Sequence, residues 1–296
     1  MADLNTLVRA RYSTAPLKTP NRSAANGTNG SDPVKTPDLP AVPAALETIL
    51  KHKSVRHFLP DAPLPANTLE VLVAAGQSAP TSSNLQAWSV VAIQDPDRKA
   101  KLSELSGNQA FIRDASLILV FAADLHRAQV ASSVVPNHKG EALAYTEMFL
   151  VAALDAAFAA QNVFVAAESL GLGGCYVGAA RNHPREVAAL LNLPPRVVGL
   201  FALAIGVPDR TQPAVVAPVK PRLPVNEVLH RENWDDTNQK ASFEVYNKEL
   251  AAFNNAQRLN QPVWTKRAAA RVATVGSLHG RHELKEILQE RSFELL

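Results

Sequence analysis

Cysteine is almost absent from this chain of 296 residues, since Cys175 is the only one. A single cysteine excludes an intrachain disulfide and a zinc site built from several cysteines, and it gives no sign of an oxidising compartment. Long hydrophobic runs are also lacking, because the longest uncharged run in the most apolar region, residues 156–167, is too short to cross a bilayer. No signal-peptide hydrophobic segment follows Met1, so we expect a cytoplasmic protein.

A strong net charge is lacking too. The formal charge is +3, and residues 1–45 hold five basic against three acidic side chains, which leaves +1 on residues 46–296. A nearly neutral body is not typical of a general nucleic-acid binder. A non-enzymatic module that binds a polyanion or nucleic acid through its basic segments remains the alternative to an enzyme.

Several catalytic motifs are missing from the sequence. It contains no Gly-x-Ser-x-Gly elbow, no His-Glu-x-x-His pair, no Walker loop and no carboxylate-rich metal signature. His279 and His282 are three positions apart without an obvious third ligand, so we interpret them as surface residues and predict no metal site. If the protein is an enzyme, an organic cofactor is expected to carry the chemistry.

The first 44 residues differ in composition from the rest. Six prolines fall between residues 13 and 45 among Asn, Ser, Thr and Gly, and such a segment cannot bury enough apolar surface to offset its ordering entropy. We interpret residues 1–44 as a flexible leader in which residues 4–12 can form a short helix. An Arg-rich targeting peptide is the competing interpretation. Residues 45–296 are predicted to form one domain with a helical C-terminal extension over about 242–296.

Hydrophobic periodicity predicts the main elements of this domain. Helices are expected over residues 67–78, 141–170 and 184–191, and strands over residues 88–94, 116–123, 174–177 and 198–207. The helix over 141–170 is apolar on most of its surface, which indicates a buried central helix that ends at Gly171. Helices and strands do not alternate regularly, so an α+β fold with a sheet flanked by helices fits better than a doubly wound fold.

A dense basic cluster occupies residues 51–57. It contains Lys51, His52, Lys53, Arg56 and His57, with the hydroxyl of Ser54 among them. A phosphate prefers charge-assisted hydrogen bonds from several donors at once, so the cluster indicates a phosphate-binding site. The cluster follows a short amphipathic helix, and a solvated cationic helix C-terminus is the simpler alternative.

Four glycines fall between residues 171 and 178. A dinucleotide fingerprint requires a strand, then glycines, then a helix, whereas here the helix comes first. Gly171 is explained as a helix stop. Gly173, Gly174 and Gly178 flank a strand, where glycines can also mark close approach of the backbone to a flat ligand.

Three further segments carry polar groups that suit a ligand. Residues 81–86 place five hydrogen-bonding side chains directly before a strand, which suits either a turn or the rim of a heteroaromatic ring. Lys220 and Arg222 flank a proline. Residues 251–282 contain no Asp or Glu but five Lys and Arg, which indicates either a solvated helical face or a surface for a phosphorylated substrate.

Five ordered segments together resemble the nitroreductase family of flavoproteins, and within it the NADPH-dependent oxygen-insensitive nitroreductase and flavin reductase group. The resemblance covers about residues 45–275. The matching segments are residues 52–58, Ser82-Ser83 with Gln86, Gly107-Asn108-Gln109, residues 166–178 and residues 220–224. It implies a nitroreductase-like fold with a central mixed sheet, and a homodimer with FMN at the subunit interface.

The resemblance also implies roles for individual residues. His52, Lys53, Ser54, Val55 and Arg56 are expected to meet the FMN phosphate and ribityl chain, joined by Lys220 and Arg222. Thr81, Ser82 and Ser83 are expected at the isoalloxazine edge, Gln109 at another polar edge, and Tyr176, Val177, Gly178 and Ala179 along the ring. Arg258 is expected near the 2′-phosphate of NADPH.

The activity implied is hydride transfer from NADPH through FMN to nitroaromatic, quinone, flavin or chromate acceptors by a ping-pong mechanism. No side chain is expected to be catalytic, because the flavin carries the chemistry. A flavoenzyme of the same fold that dehalogenates or dehydrogenates its substrate is a further alternative.

Overall fold

A computed structural model of the chain describes Leu4–Arg11 and residues 41–60 and 62–296. The chain forms two compact units. The helical unit comprises the described part of Met1–Lys53 together with Val216–Ser277, and the sheet unit comprises Ser54–Val215, as far as it is described, and Leu278–Leu296.

The described residues contain four strands and twelve α-helices. The strands are β1 Trp88–Ile93, β2 Leu117–Asp124, β3 Gly173–Val177 and β4 Val197–Gly206. The helices are α1 Leu4–Arg11, α2 Ala44–Lys51, α3 Thr68–Gln77, α4 Pro96–Leu105, α5 Ala110–Asp114, α6 His126–Ser133, α7 Thr146–Ser169, α8 Pro184–Leu190, α9 Pro213–Val216, α10 Gln239–Ala256, α11 Trp264–Arg271 and α12 Leu284–Glu290.

The sheet has the order β1-β2-β4-β3, and all three pairings are antiparallel. The mixed sheet expected from the resemblance is therefore wrong for the described residues. The physical reason lies in the connections. Two helices, α4 and α5, join β1 to β2, and such a pair returns the chain to the end of the sheet where β1 finished.

Strand β2 is buried along its whole length, because hydrophobic layers cover both faces of the sheet. Ile118 and Val120 pack in a cluster that includes residues of α4 and α5. Leu119 and Phe121 pack on the other side in a cluster that includes Phe164 of α7. A strand that is covered on both faces has a continuous apolar sequence rather than an alternating one. This pattern explains why the position of β2 could be predicted.

The central helix α7 begins later than predicted. Residues Glu141–Ala144 form a short 3₁₀ turn, and Tyr145 is extended with ψ of 148°, so the α-helix starts at Thr146. Gly171 ends it as predicted, with φ of +79°. Among the described residues α7 is the one helix that is long and apolar enough to span a membrane, by length and composition alone. Its Ala156, Ala159 and Ala160 are fully buried in the same cluster as β2 residues.

The helical unit contains the short helix expected near the N-terminus. Arg11 of α1 is 8% exposed, and its Nε donates to the carbonyl of Leu50 at 2.9 Å. A second nitrogen of the same guanidinium donates to the carbonyl of His52. Farther along this unit, the ring of Phe243 of α10 packs at a tilt of 56° against Trp264 of α11, with ring centres 4.8 Å apart. Residues 1–3 and 12–40 of the predicted leader lie outside the described residues, so the division into leader and domain stays a prediction.

Candidate functional site

The segment from Ser54 to Arg56 is fixed along the edge of the sheet unit by strand β3. The N–H of Val55 donates to the carbonyl of Gly174 at 2.8 Å, and the Val55 side chain is buried. Successive side chains of an extended segment point to opposite sides, so Ser54 and Arg56 are exposed. The Arg56 guanidinium carbon lies 5.9 Å from the ring centre of Phe111. The structure therefore supplies an exposed cation on a fixed backbone.

Cys175 lies under this segment and is 1% exposed. Burial raises the pKa of its thiol, against the opposing effects of Arg56 and Ser54. A buried thiol with a raised pKa stays neutral and unreactive. The described structure thus gives the cysteine a packing role in the sheet.

The loop from Thr81 to Gln86 presents its polar side chains at the surface. Residues 82–84 form a 3₁₀ turn, and Ser82 to Gln86 are all exposed. Beneath the loop lies Asp155 of α7, which is 1% exposed. Its carboxylate accepts hydrogen bonds from the N–H of Ser82 at 3.1 Å and the N–H of Ala87 at 3.0 Å. The predicted ring-edge residues Thr81, Ser82 and Ser83 are therefore held together on one anchored loop.

Gln109 lies at the N-terminus of α5 and is half-buried. Its side-chain amide donates to the carbonyl of Ser106 at 2.8 Å, and its own carbonyl accepts from the hydroxyl of Ser103 at 2.9 Å. These local bonds fix the position of the residue.

The end of β3 brings Tyr176, Val177, Gly178 and Ala179 together. The Tyr176 ring packs edge-on against Phe164 at 5.2 Å and Phe201 at 5.5 Å. Burial raises the pKa of its phenol, and the charge of Glu168 adds to the effect, so the hydroxyl stays neutral. Val177 is buried, and Ala179 packs beside the same core cluster. The structure thus places the four predicted residues at one strand end, and their contact with a ligand stays a prediction.

The glycines of this run have two different functions. A Cβ on Gly173 would lie 2.9 Å from the Cβ of Val55, and one on Gly174 would lie 2.8 Å from a ring carbon of Phe164. Around Gly178 the nearest atoms are arginine nitrogens at 3.6 and 3.9 Å. Gly173 and Gly174 are thus required by packing inside the protein, whereas a Cβ on Gly178 would make only ordinary van der Waals contacts.

We expect Gly174→Ala to lower the free energy of unfolding by about 1–3 kcal/mol, because the methyl group overpacks against Phe164. The matched variant Gly178→Ala should change stability by less than about 0.5 kcal/mol, since no atom lies close enough to clash. Urea denaturation of the two proteins measures the difference. Equal destabilisation would contradict the distinction between the two glycines.

The C-terminal segment adds Arg281, which the sequence analysis noticed only as one cation of the acid-free stretch. Its Nε donates to the side-chain oxygen of Asn182 at 2.9 Å, and its Nη1 is one of the nitrogens near Gly178. Asn182 directly follows the 3₁₀ turn Gly178–Arg181. Because 99 positions separate the two residues, only the folded chain reveals that Arg281 lies here.

The remaining predicted residues belong to the helical unit. Lys53 donates through Nζ to the carbonyl of Ala217 at 2.7 Å, which joins the basic cluster to the segment that carries Lys220 and Arg222. Arg222 is exposed, and its N–H donates to the carbonyl of Arg11 at 2.8 Å. The helical unit thus contains four of the predicted cations, His52, Lys53, Lys220 and Arg222. Helices α1 and α2 help to hold the backbone that carries them.

Arg258 lies just after the end of helix α10, apart in sequence from the four cations His52, Lys53, Lys220 and Arg222. It is exposed, follows the end of α10 and has φ of 52°, a left-handed conformation typical of a residue that stops a helix. Its N–H donates to the carbonyl of Asn255 in the same turn. Within the described ranges no group of three His, Cys, Asp or Glu side chains is arranged to hold a metal ion.

The donor set fits FMN. The sheet unit presents the exposed guanidinium of Arg56, a group that suits phosphate, and the polar side chains of the Thr81–Gln86 loop, which suit the edge of a heterocycle. The fold and these groups define a protein that binds a flat, phosphorylated cofactor.

The chain belongs to the nitroreductase family. The model of the nitroreductase family matches residues 49–206, and the model of the family's C-terminal domain matches residues 220–296. The chain is 43% identical over 190 residues to FMN reductase (NADPH) of Bacillus subtilis, covering 64% of this chain and 74% of that protein. It is 37% identical over 227 residues to the Cr(VI) reductase of a Pseudomonas species, covering 75% and 89%.

A solved structure agrees with this assignment. NfrA2 of B. megaterium matches with a TM-score of 0.79 and 32% identity over 86% of this chain and 100% of that one. The predicted family and the nitroreductase-like α+β fold are therefore confirmed.

Proposed function

We propose that this FMN-dependent NADPH oxidoreductase works by a ping-pong mechanism, in which NADPH and the electron acceptor occupy one pocket in turn. When bound, FMN would supply the redox chemistry, namely hydride acceptance from NADPH and electron transfer to the acceptor. The observation that supports the proposal is the end of β3 at Gly178, where a Cβ would meet no atom closer than 3.6 Å, whereas at Gly173 and Gly174 it would clash. We assign no catalytic side chain. The residues of the chain bind, orient and shield the cofactor.

At the ring end, we assign the Thr81–Gln86 loop and Gln109 to polar edges of the isoalloxazine. Tyr176 to Ala179 would hold the face of the ring, and backbone N–H groups of this strand end would favour its anionic reduced form. Because these donors lie on an anchored loop and a strand end, they need no rearrangement when the charge develops.

At the phosphate end, we assign His52 to Arg56 together with Lys220 and Arg222. Several charge-assisted hydrogen bonds suit a dianionic phosphate, and Arg56 provides the planar fork that can bind two oxygens at once. The Nζ of Lys53 already donates to Ala217, which positions this lysine rather than removing it from the set.

The proposal is tested by the absorbance spectrum of the purified protein before and after anaerobic addition of NADPH. We expect flavin bands that bleach on addition of NADPH and return with an acceptor, and parallel lines in double-reciprocal initial-velocity plots. A colourless protein that does not take up added FMN would overturn the assignment, and intersecting lines would overturn the ping-pong order.

The acceptors we propose are nitroaromatics, quinones, free flavin and chromate. The similarity to a Cr(VI) reductase supports the last of these.

Family membership replaces the non-enzymatic alternative considered from the sequence. We propose a cytoplasmic location, since NADPH is supplied there.

We also propose that the protein is a homodimer. Leu150, Leu154 and Phe158 of α7 are 49%, 53% and 47% exposed, and their spacing of four residues places them on one face of the helix. A contiguous apolar stripe of this kind marks an interaction surface. A second copy of the chain is the partner we assign to it, with FMN bound at the subunit interface.

If Arg258 recognises the 2′-phosphate of NADPH, then Arg258→Ala should raise the KM for NADPH about tenfold or more and leave the KM for NADH nearly unchanged, because only NADPH carries that charge. Lys266→Ala is the matched control, an exposed cation of the same acid-free stretch. Steady-state kinetics with both nucleotides measure the effect. Equal changes in the two KM values would exclude this role for Arg258.

A further inference from the structure

The exposed loop from Thr81 to Gln86 has an unusual backbone. Ser83, Asn84 and Gln86 have φ of 49°, 55° and 50°. Non-glycine residues adopt such angles rarely, and several of them in one short loop persist only where the surrounding structure imposes them. The groups that hold this loop therefore decide its shape.

The buried carboxylate of Asp155 holds the N–H groups at both ends of the loop. One oxygen accepts from Ser82 at 3.1 Å and the other accepts from Ala87 at 3.0 Å. Asp155 is 1% exposed, so water does not compete effectively for these bonds. Hydrogen bonds to an ionised group in such surroundings are stronger than those between neutral groups.

The guanidinium of Arg127 holds the carbonyl groups on the far side of the same loop. Its Nη1 donates to the carbonyl of Gln86 at 2.5 Å and to that of Trp88 at 3.0 Å. Its Nη2 lies 3.3 Å from a carboxylate oxygen of Asp124, which orients the fork. Lysine has a single nitrogen, so it lacks a second one fixed toward Asp124 while the first donates to the two carbonyls.

We propose that Asp155 and Arg127 are positioning residues, which hold the Thr81–Gln86 loop in the conformation that contacts the FMN ring. The inference rests on the proposed placement of FMN, and neither residue is assigned a contact with FMN itself. The Asp155 carboxylate accepts hydrogen bonds from backbone N–H groups, and the Arg127 guanidinium donates hydrogen bonds to backbone carbonyls. The loop is therefore fixed before the cofactor binds. Preorganised donors of this kind bind without the cost of ordering a loop.

The test compares Asp155→Asn with Val163→Ala. Asparagine has the size of aspartate, but an NH₂ group replaces one of the two carboxylate oxygens. One of the two backbone N–H groups therefore loses its acceptor. Val163 is 1% exposed on the same helix and packs toward Gly76, so its truncation should destabilise the protein without removing a hydrogen bond to the loop. Arg127→Lys provides a second, exposed substitution that the fold tolerates.

Three measurements are made on each protein: the Kd for FMN by fluorescence titration, the visible absorption maximum of bound FMN, and the hydrogen exchange of the peptide that contains Ser82 and Ala87. We expect Asp155→Asn and Arg127→Lys to raise the Kd roughly tenfold, shift the absorption maximum and speed exchange in this peptide. Val163→Ala should lower only the melting temperature.

Contradictory outcomes separate the inference from the proposed function. Unchanged exchange in Asp155→Asn, with FMN bound normally, would overturn the positioning role and leave the proposed function intact. Faster exchange with unchanged Kd and absorption maximum would show that the loop does not contact FMN, and would overturn both the inference and the placement of the ring. A similar rise in the Kd for FMN in Val163→Ala would show that general destabilisation, and not the loss of loop positioning, weakens FMN binding in Asp155→Asn.

Discussion

Leu154→Glu should convert the protein to a monomer at micromolar concentration. Leu154 is 53% exposed between Leu150 and Phe158 on the apolar face of α7. If this face is buried against a second copy, each dimer would bury two unpaired carboxylates, and an uncompensated buried charge costs about 3–5 kcal/mol. The dissociation constant of the dimer should therefore rise by at least about a hundredfold. Sedimentation equilibrium measures it directly.

Loss of the dimer should be accompanied by loss of FMN, because the proposed cofactor site includes the subunit interface. Val134→Glu is the control, since Val134 is 74% exposed at the end of α6 and lies off the α7 stripe. A dimer that survives Leu154→Glu with its FMN would exclude α7 as the interface.

Arg56→Ala should weaken FMN binding by about 1.5–3 kcal/mol, the usual scale for a hydrogen bond to a charged group. That range corresponds to a rise in Kd of roughly 10- to 150-fold. Arg56 is exposed, and its guanidinium carbon lies 5.9 Å from the Phe111 ring centre, so the side chain contributes little to the core. The stability of the apoprotein should therefore remain close to that of the wild type.

Arg56→Lys is the informative intermediate, because it keeps the charge but loses the planar fork. Arg98→Ala removes an equally exposed arginine from α4 and should leave the Kd unchanged. Fluorescence titration of the apoproteins with FMN measures all three. An unaltered Kd in Arg56→Ala would remove Arg56 from the phosphate site.

The strands of the fold were predictable because burial leaves a direct trace in the sequence. The run that forms β2 is apolar at nearly every position and ends at Asp124, within one residue of the prediction. The start of α7 was not predictable in this way. Residues 141–145 are as apolar as the helix that follows, yet Tyr145 is extended, and hydrophobicity does not distinguish a 3₁₀ turn from the first turn of an α-helix.

The candidate site was predictable where its residues are neighbours in sequence and not where distant residues support them. Asp155 is an acid among apolar residues in the middle of α7, which is a recognisable signal, but its partners lie 73 and 68 positions away. Arg127 and Arg281 are ordinary surface cations in the sequence. The role of the glycines in β3 could not be predicted from the sequence for another reason. Only the positions of Val55 and Phe164 show that Gly173 and Gly174 are required by packing rather than by a ligand.

The burial of Cys175 makes this protein convenient for spectroscopic labelling. Its only thiol is 1% exposed, and burial raises its pKa, so maleimide and nitroxide reagents should leave the native protein untouched. A cysteine introduced at any exposed position then becomes the sole point of attachment. A dye on the Thr81–Gln86 loop could report its movement during turnover, without first removing a native cysteine from the sheet.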